Sequence, residues 1–321
     1  MELPRALRDA VDQALEGISS AELAHAAQRL SERYRSETRD GGFHLADDIG
    51  ARAYLATRLP ATYAAIRAGM SAVAELRPGF APRTMLDVGA GPGSALWAAA
   101  DCWPVIDDAL LIEGSAAIRA YGVRLAKHAP VARVAWRSHD IAAALPETTP
   151  RDLVTLAYVL DELAPEARDP LVDRLWSLTA DTLLIIEPGT PAGWQRILHA
   201  RGRLIAAGAH LVAPCPHAAA CPLAPPDWCH FSRRVARSRV HRLAKSADVP
   251  WEDEKFVYVA ASRQAGTAPA ARVIARPRTA SGRVSLKLCQ RDGTVAERVV
   301  TRRNGAAFKL ARRADWGDAL P

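Results

Sequence analysis

Residues 84–100, TMLDVGAGPGSALWAAA, constrain this chain more than any other stretch. Met85, Leu86 and Val88 make a short apolar run suited to a buried strand. Gly89, Gly91 and Gly93 strip β-carbons from the turn that follows, and residues 94–100 have the composition of a helix. Pro92 suits the entry of that helix, because its fixed φ is already near helical. Strand, glycine turn and helix in this order predict a nucleotide-binding corner of an α/β sheet. Bare backbone at Gly89 and Gly91 lets a ligand approach closely, and the helix start offers unpaired N–H groups to an anionic group such as a carboxylate.

The glycine spacing separates two cofactor classes. A dinucleotide fingerprint G-x-G-x-x-G would need glycine at position 94, where the chain has Ser94. The pattern Asp87-x-Gly89-x-Gly91-x-Gly93 instead resembles the first motif of S-adenosylmethionine-dependent methyltransferases, and the resemblance implies that these four residues contact that cofactor.

The remaining chain supports this corner. Residues 1–80 read as helices, with Ser19 and Glu22 placed as a capping box and Tyr63, Ile66, Met70, Val73 and Leu76 recurring at helical spacing; packing is their expected role. After the corner, strands are expected at 109–112, 132–136, 153–156, 183–186, 210–212 and 255–260, with helices at 116–126, 165–178 and through Ile197 and Leu204. Alternation of this kind predicts a parallel, doubly wound Rossmann-like sheet with ligands beyond the carboxyl ends of its strands. Glu113 then falls about twenty residues past the glycine turn, where such folds hold both ribose hydroxyls, and Asp140 follows the third strand, where it would contact the adenine amine. Asp161 and Glu162 end the fourth strand beside the expected methyl donor and are base candidates by position only. The run lacks the Asn/Asp-Pro-Pro-aromatic tetrad of exocyclic-amine methylation, so no catalytic residue is assigned.

Charge divides the chain. Residues 1–190 hold 19 Lys/Arg and 26 Asp/Glu, net −7, whereas residues 191–321 hold 23 and 9, net +14. The basic part predicts a polyanionic partner, most simply nucleic acid. Its expected contact segment is Arg233, Arg234, Arg237, Arg239, Arg242 and Lys245, with Trp228 and Phe231 nearby for stacking. No apolar run approaches a membrane span, and the first residues lack the apolar core of a secretion signal, so a soluble, monomeric, cytoplasmic protein is expected.

Between the sixth and seventh strands lies APCPHAAACPLAPPDWCHFSRR, with Cys215, Cys221 and Cys229 in a proline-rich loop; Cys289 follows in SLKLCQRDG, and Cys102 stands apart. Three cysteines in so short a loop of a cytoplasmic protein suggest thiolate ligands rather than disulfides. The spacing suits an iron–sulfur cluster or zinc and separates them poorly, and His217 and His230 can replace a thiolate in a zinc site.

DVGAGPG, LAYVLDEL, IIEPGTPAGW, the cysteine loop and the terminal ARRADWGD together resemble the methyltransferase-like assembly factors of the mitochondrial small ribosomal subunit and their bacterial relatives, from about Leu45 onward. The cysteine insertion is the most specific part. By this resemblance Cys215, Cys221, Cys229 and Cys289 would ligate a [4Fe-4S] cluster, Cys102 would be a core residue, and the protein would engage small-subunit ribosomal RNA during assembly. The implied architecture is a class I methyltransferase fold: a helical region at 1–80, the core at 81–212, the cysteine-rich insertion with its basic segment at 213–250, a final core strand at 251–264 and a β extension at 265–321. The implied function is an S-adenosylmethionine-binding, iron–sulfur protein that methylates or helps assemble that RNA. A non-catalytic RNA-binding assembly factor is the first alternative, and a small-molecule or protein methyltransferase with a structural zinc site the second.

Overall fold

A computed structural model describes residues 1–36 and 45–321 of the chain. Four helices come first: α1 (Arg5–Ala14), α2 (Ser20–Arg35), α3 (Asp48–Thr57) and α4 (Leu59–Leu76). Ser19 caps α2 by accepting the Glu22 N–H at 3.1 Å, and Asp47 caps α3 through Gly50 at 2.7 Å, each satisfying a donor that the helix start leaves unpaired. Small residues line α4, and Gly69 brings its backbone close to the sheet, because a β-carbon there would meet Leu184 at 3.3 Å.

The core follows as β1 (Thr84–Val88), α5 (Ser94–Cys102), β2 (Asp108–Ile112), α6 (Ala116–Ala126), β3 (Arg133–Arg137), β4 (Arg151–Ala157), α7 (Pro165–Ser177), β5 (Thr179–Pro188), α8 (Pro191–Ala206), β6 (His210–Ala213), β7 (Phe231–Ala236), α9 (Arg239–Ala244) and β8 (Trp251–Ser262). The strand order is β3-β2-β1-β4-β5-β8-β6, with β7 also on β8. Strands β3, β2, β1, β4 and β5 are parallel, whereas β8 runs antiparallel to β5. This is the doubly wound sheet expected from the alternation of strands and helices. Side chains alternate across it: Met85, Leu111 and Leu184 join the N-terminal helices, α5 and α6 on one face, while Leu86, Val88, Leu156 and Ile185 pack against α7 and α8 on the other.

β8 organises the cysteine insertion. It pairs with β6 from Ala260 to Ser262 and with β7 from Trp251 to Phe256, so β6 and β7 lie on β8 one after the other and the loop at 214–230 leaves between them. The basic segment expected as a continuation of that loop is therefore partly a strand of the large sheet.

The C-terminal residues form a second sheet from β9 (Ala271–Val273), β10 (Arg278–Ala280), β11 (Arg283–Gln290), β12 (Val295–Thr301) and β13 (Ala319–Leu320), with α10 (Ala306–Arg313) against it. The alternation VSLKL places Val284, Leu286 and Leu288 on one face, where they bury against Val273, Val300 and Ala311.

Candidate cofactor corner and cysteine cavity

Gly89, Gly91 and Gly93 adopt φ of +68°, +54° and +87°, the left-handed region in which a β-carbon is strained. The turn hangs on β2, because the Gly89 and Ala90 N–H groups both donate to Ile112 O, at 2.9 and 3.0 Å. Glu113 reaches back across it, accepting the Gly91 N–H at Oε2 and the Ser115 N–H at Oε1, both at 2.8 Å. Each oxygen keeps a lone pair, so the carboxylate can brace the loop and still accept ribose hydroxyls. Asp87 is buried below the turn; its Oδ1 accepts the Thr155 hydroxyl at 2.6 Å, and its Oδ2 has no partner among the described residues. Burial, opposed by the Thr155 hydrogen bond and reinforced by the nearby Glu113 charge, pushes its carboxyl up to about 7. Asp140 is different: it is exposed, and its Oδ1 accepts Ala142 N–H at 2.9 Å within its own loop.

Sequence reasoning missed a polar network beyond β4 and β5. Tyr158 sits at φ +60°, and its hydroxyl donates to Glu254 Oε1 at 2.9 Å. Arg58, at the junction of α3 and α4, grips both Glu254 oxygens at 3.3 and 3.2 Å. A tyrosine in that backbone region costs about 1–2 kcal/mol, which the network holds in place. Glu187 is fully buried between Arg196 Nε at 2.6 Å and Leu160 N–H at 3.0 Å. Burial raises the Glu162 carboxyl well above its ordinary range, and the charges of Asp161, Glu113 and Glu187 raise it further. Only Asp161 and Glu162 had a signal in the sequence. The partners Arg58 and Glu254 come from elements 196 residues apart.

The second site lies at the edge of β8. Cys215, Cys221 and Cys229 from the loop and Cys289 from β11 line one cavity, with Arg201 of α8 and Arg272 of β9 in its wall. Cys102 is elsewhere, at the end of α5 near Arg67 and Ser71. His217 also lines the cavity and its Nε2 is 3.4 Å from Cys289 Sγ, whereas His230 stacks on Trp228 and meets the edge of Trp316. Burial pushes the Cys229 thiol well above its ordinary range, and the other three cysteines add to the rise; Cys289 is pushed up to about 12, first by burial. The two arginines are 5% and 1% exposed and bond to neutral groups among the described residues: Arg201 to His217 O, Ala219 O and the Cys215 side chain, Arg272 to Pro214 O and Gly317 O. Arg201 Nε and Arg272 Nη2 have no partner among the described residues. Two buried cations without a carboxylate are costly unless an anion faces them. Among the described residues, no three His, Cys, Asp or Glu side chains are gathered for a single metal ion. The terminal ARRADWGD turn closes this region, with Trp316 O accepting from Arg233 and Gly317 O from Arg272.

The sequence profile described as mitochondrial small ribosomal subunit Rsm22 matches residues 49–321, which span both sites. The chain belongs to the Rsm22 family. A curated relative of this Rsm22-family chain, the human mitochondrial ribosome assembly protein METTL17, is 30% identical over 294 residues, covering 84% of this chain and 62% of the human protein. Rsm22-cox11 tandem protein 2, mitochondrial, of Schizosaccharomyces pombe is 26% identical over 193 residues, 46% of this chain and 26% of that protein. The chain thus spans less than two thirds of the length of either relative. An O-methyltransferase family protein from Burkholderia thailandensis is 14% identical, with a TM-score of 0.47 over 77% of this chain and 71% of its own. Strand order and the glycine corner give the Rsm22-family chain a class I methyltransferase fold. No described helix is long and apolar enough to cross a membrane.

Proposed function

We propose that this Rsm22-family chain is an assembly factor of the small ribosomal subunit that binds S-adenosylmethionine at the glycine corner, carries a [4Fe-4S] cluster on Cys215, Cys221, Cys229 and Cys289, and engages the subunit's RNA. The observation that carries the reading is the meeting of three loop cysteines and Cys289 around one cavity walled by two buried, anion-lacking arginines. Four thiolates on a 2+ centre leave net −2, which balances Arg201 and Arg272. A single zinc ion would hold its sulfurs about 3.8 Å apart, given its bond length and tetrahedral geometry. A cubane has an iron behind each thiolate and takes them from wider apart, which suits side chains that ring a cavity. When bound, the cluster supplies a rigid four-point anchor between the loop and the C-terminal sheet.

The cofactor corner favours binding over methyl transfer. Glu187 is held between Arg196 and Leu160, so its carboxylate is engaged by the fold and not free to serve as a general base. The test combines iron and sulfide analysis of anaerobically purified protein, its cosedimentation with small subunits, and methylation mapping of their RNA in a deletion strain. Iron, sulfide and cosedimentation with unchanged methylation support the reading. Methylation lost in the deletion and restored by wild type but not by a cofactor-corner variant would make the protein a methyltransferase. A metal-free protein that ignores small subunits would refute it.

A further inference from the structure

We propose that RNA lies on the basic edge of the C-terminal domain, formed by the β10–β11 turn, the end of β12 and α10, and not on the arginine-rich segment after the cysteine loop. This rests on the reading of the protein as an RNA-engaging assembly factor and assigns the surface.

The argument is one of pairing. In the segment at 231–245, Arg234 bonds to Asp253 at 2.9 and 3.0 Å and lies over the Trp251 ring. Arg237 and Lys245 share Glu252, at 3.1 and 3.3 Å, and Arg233 donates to Trp316 O. The β7–β8 register sets this up, because Arg234 faces Asp253 and Val235 faces Glu252. Fully buried His241 lies 3.5 Å from the same Glu252. Arg239 and Arg242 have no side-chain partner among the described residues and Arg233 meets a neutral carbonyl, while Asp253 and Glu252 of β8 hold the other three cations, so half of the segment's positive groups are already engaged by carboxylates.

The C-terminal domain is the reverse. Residues 265–321 hold 12 Lys/Arg against 4 Asp/Glu, net +8. Arg272, Lys287 and Arg291 are used internally, the last two on Asp227 and on Pro269 O, and Arg278 pairs with Glu297. The side chains of Arg283, Arg298, Arg302, Arg303, Arg312 and Arg313 are exposed and have no hydrogen-bond or ion-pair partner among the described residues. They occur together in space. Arg283 pairs in register with Thr301, and Arg302 N–H donates to Gly282 O at 3.1 Å, which brings Arg283, Arg302 and Arg303 to one end of the β11–β12 hairpin. Ala311 and Phe308 bury one face of α10 against Val284, Leu286 and Val300, leaving Arg312 and Arg313 in solvent; Arg298 faces Leu286 on that side of the sheet. Leu310 of α10, 44% exposed, adds apolar surface for sugar and base contact. A cluster of unpaired guanidinium groups with one nearby acid already taken fits a chain of phosphates.

The full chain is titrated with transcribed small-subunit ribosomal RNA across a range of salt. Log affinity of the wild type is expected to fall linearly with log salt. Arg302→Gln, Arg303→Gln, Arg312→Gln and Arg313→Gln combined should lower that slope by roughly three units, while Arg239→Gln with Arg242→Gln should leave it at the wild-type value. All these side chains are exposed, so matching thermal melts exclude unfolding as the cause. Wild type that ignores RNA at low salt overturns both the RNA reading and the surface. RNA binding that the fourfold variant retains with an unchanged slope overturns the surface alone. Capture of an acidic ribosomal protein in place of RNA, abolished in the same variant, overturns RNA as the occupant.

Discussion

Cys289 Sγ, on a strand of the small sheet, lies 3.4 Å from His217 Nε2 in the loop that leaves the large sheet 72 residues earlier. The contact brings the C-terminal domain against the cysteine loop, and Lys287 to Asp227 and Arg272 to Pro214 O brace it on either side. A cluster held by Cys289 would make that joint covalent. Anaerobically purified protein should contain about four irons and four sulfides per chain. Cys289→Ser should lose them and expose residues 265–321 to protease, whereas Cys102→Ser, remote from the cavity, should leave both properties intact. Stoichiometric zinc without sulfide would put a zinc site in place of the cluster.

Arg201 and Arg272 should matter more to the loaded centre than to the empty protein, since each buries a cation that only an anionic occupant balances. Arg201→Met is expected to speed iron loss to a chelator on the order of tenfold, the usual scale for a group that supports metal ligands. Arg203→Met, two residues along α8 and paired with Asp169 and Asp173, is the control and should lose iron at the wild-type rate. Equal rates in all three proteins would leave Arg201 no role at the metal.

Two glycines of the corner should respond differently to substitution. A β-carbon at Gly89 would sit 2.4 Å from Val159 Cγ2, so Gly89→Ala should destabilise the fold by about 1–3 kcal/mol. Gly91 has nothing within 4 Å of that position, so Gly91→Arg should fold, with a backbone cost of about 1–2 kcal/mol, and fail to bind S-adenosylmethionine. Calorimetry and thermal melts separate the two. Binding by Gly91→Arg at wild-type affinity would move the cofactor away from this turn.

Asp87 provides a pH signature of the ligand-free protein. Its carboxyl is raised from 3.8 to about 7 in the fold, chiefly by burial. Between those values the folded chain keeps a proton that the unfolded chain has lost, so this group's contribution to stability is present at low pH and declines as pH rises through the window from 3.8 to about 7. Denaturant titrations at pH 5 and pH 7 should show the decline, and Asp87→Asn should flatten it by one proton's worth. If the variant keeps the wild-type slope, another group carries it.

The glycine corner, the alternation of strands and helices and the cysteine-rich loop were legible in the chain itself, because each depends on neighbours within a few residues: φ at Gly89, Gly91 and Gly93, side-chain alternation in β1 and β2, and the prolines around Cys215 and Cys221. Charge could be counted there but not placed. That Arg234 faces Asp253, and that Arg237 and Lys245 meet Glu252, depends on the β7–β8 register, which a strand as basic as FSRRVA hid from a reading by composition. Arg272 read as one more cation of a basic tail and is instead fully buried in the cavity wall, and Glu254 reached Arg58 only across the packed helices. Local sequence determined which elements form, because backbone sterics and side-chain period act over short range. The pairing of charges was decided by tertiary structure, because Coulomb attraction and desolvation depend on distances and burial that only the packed sheets set.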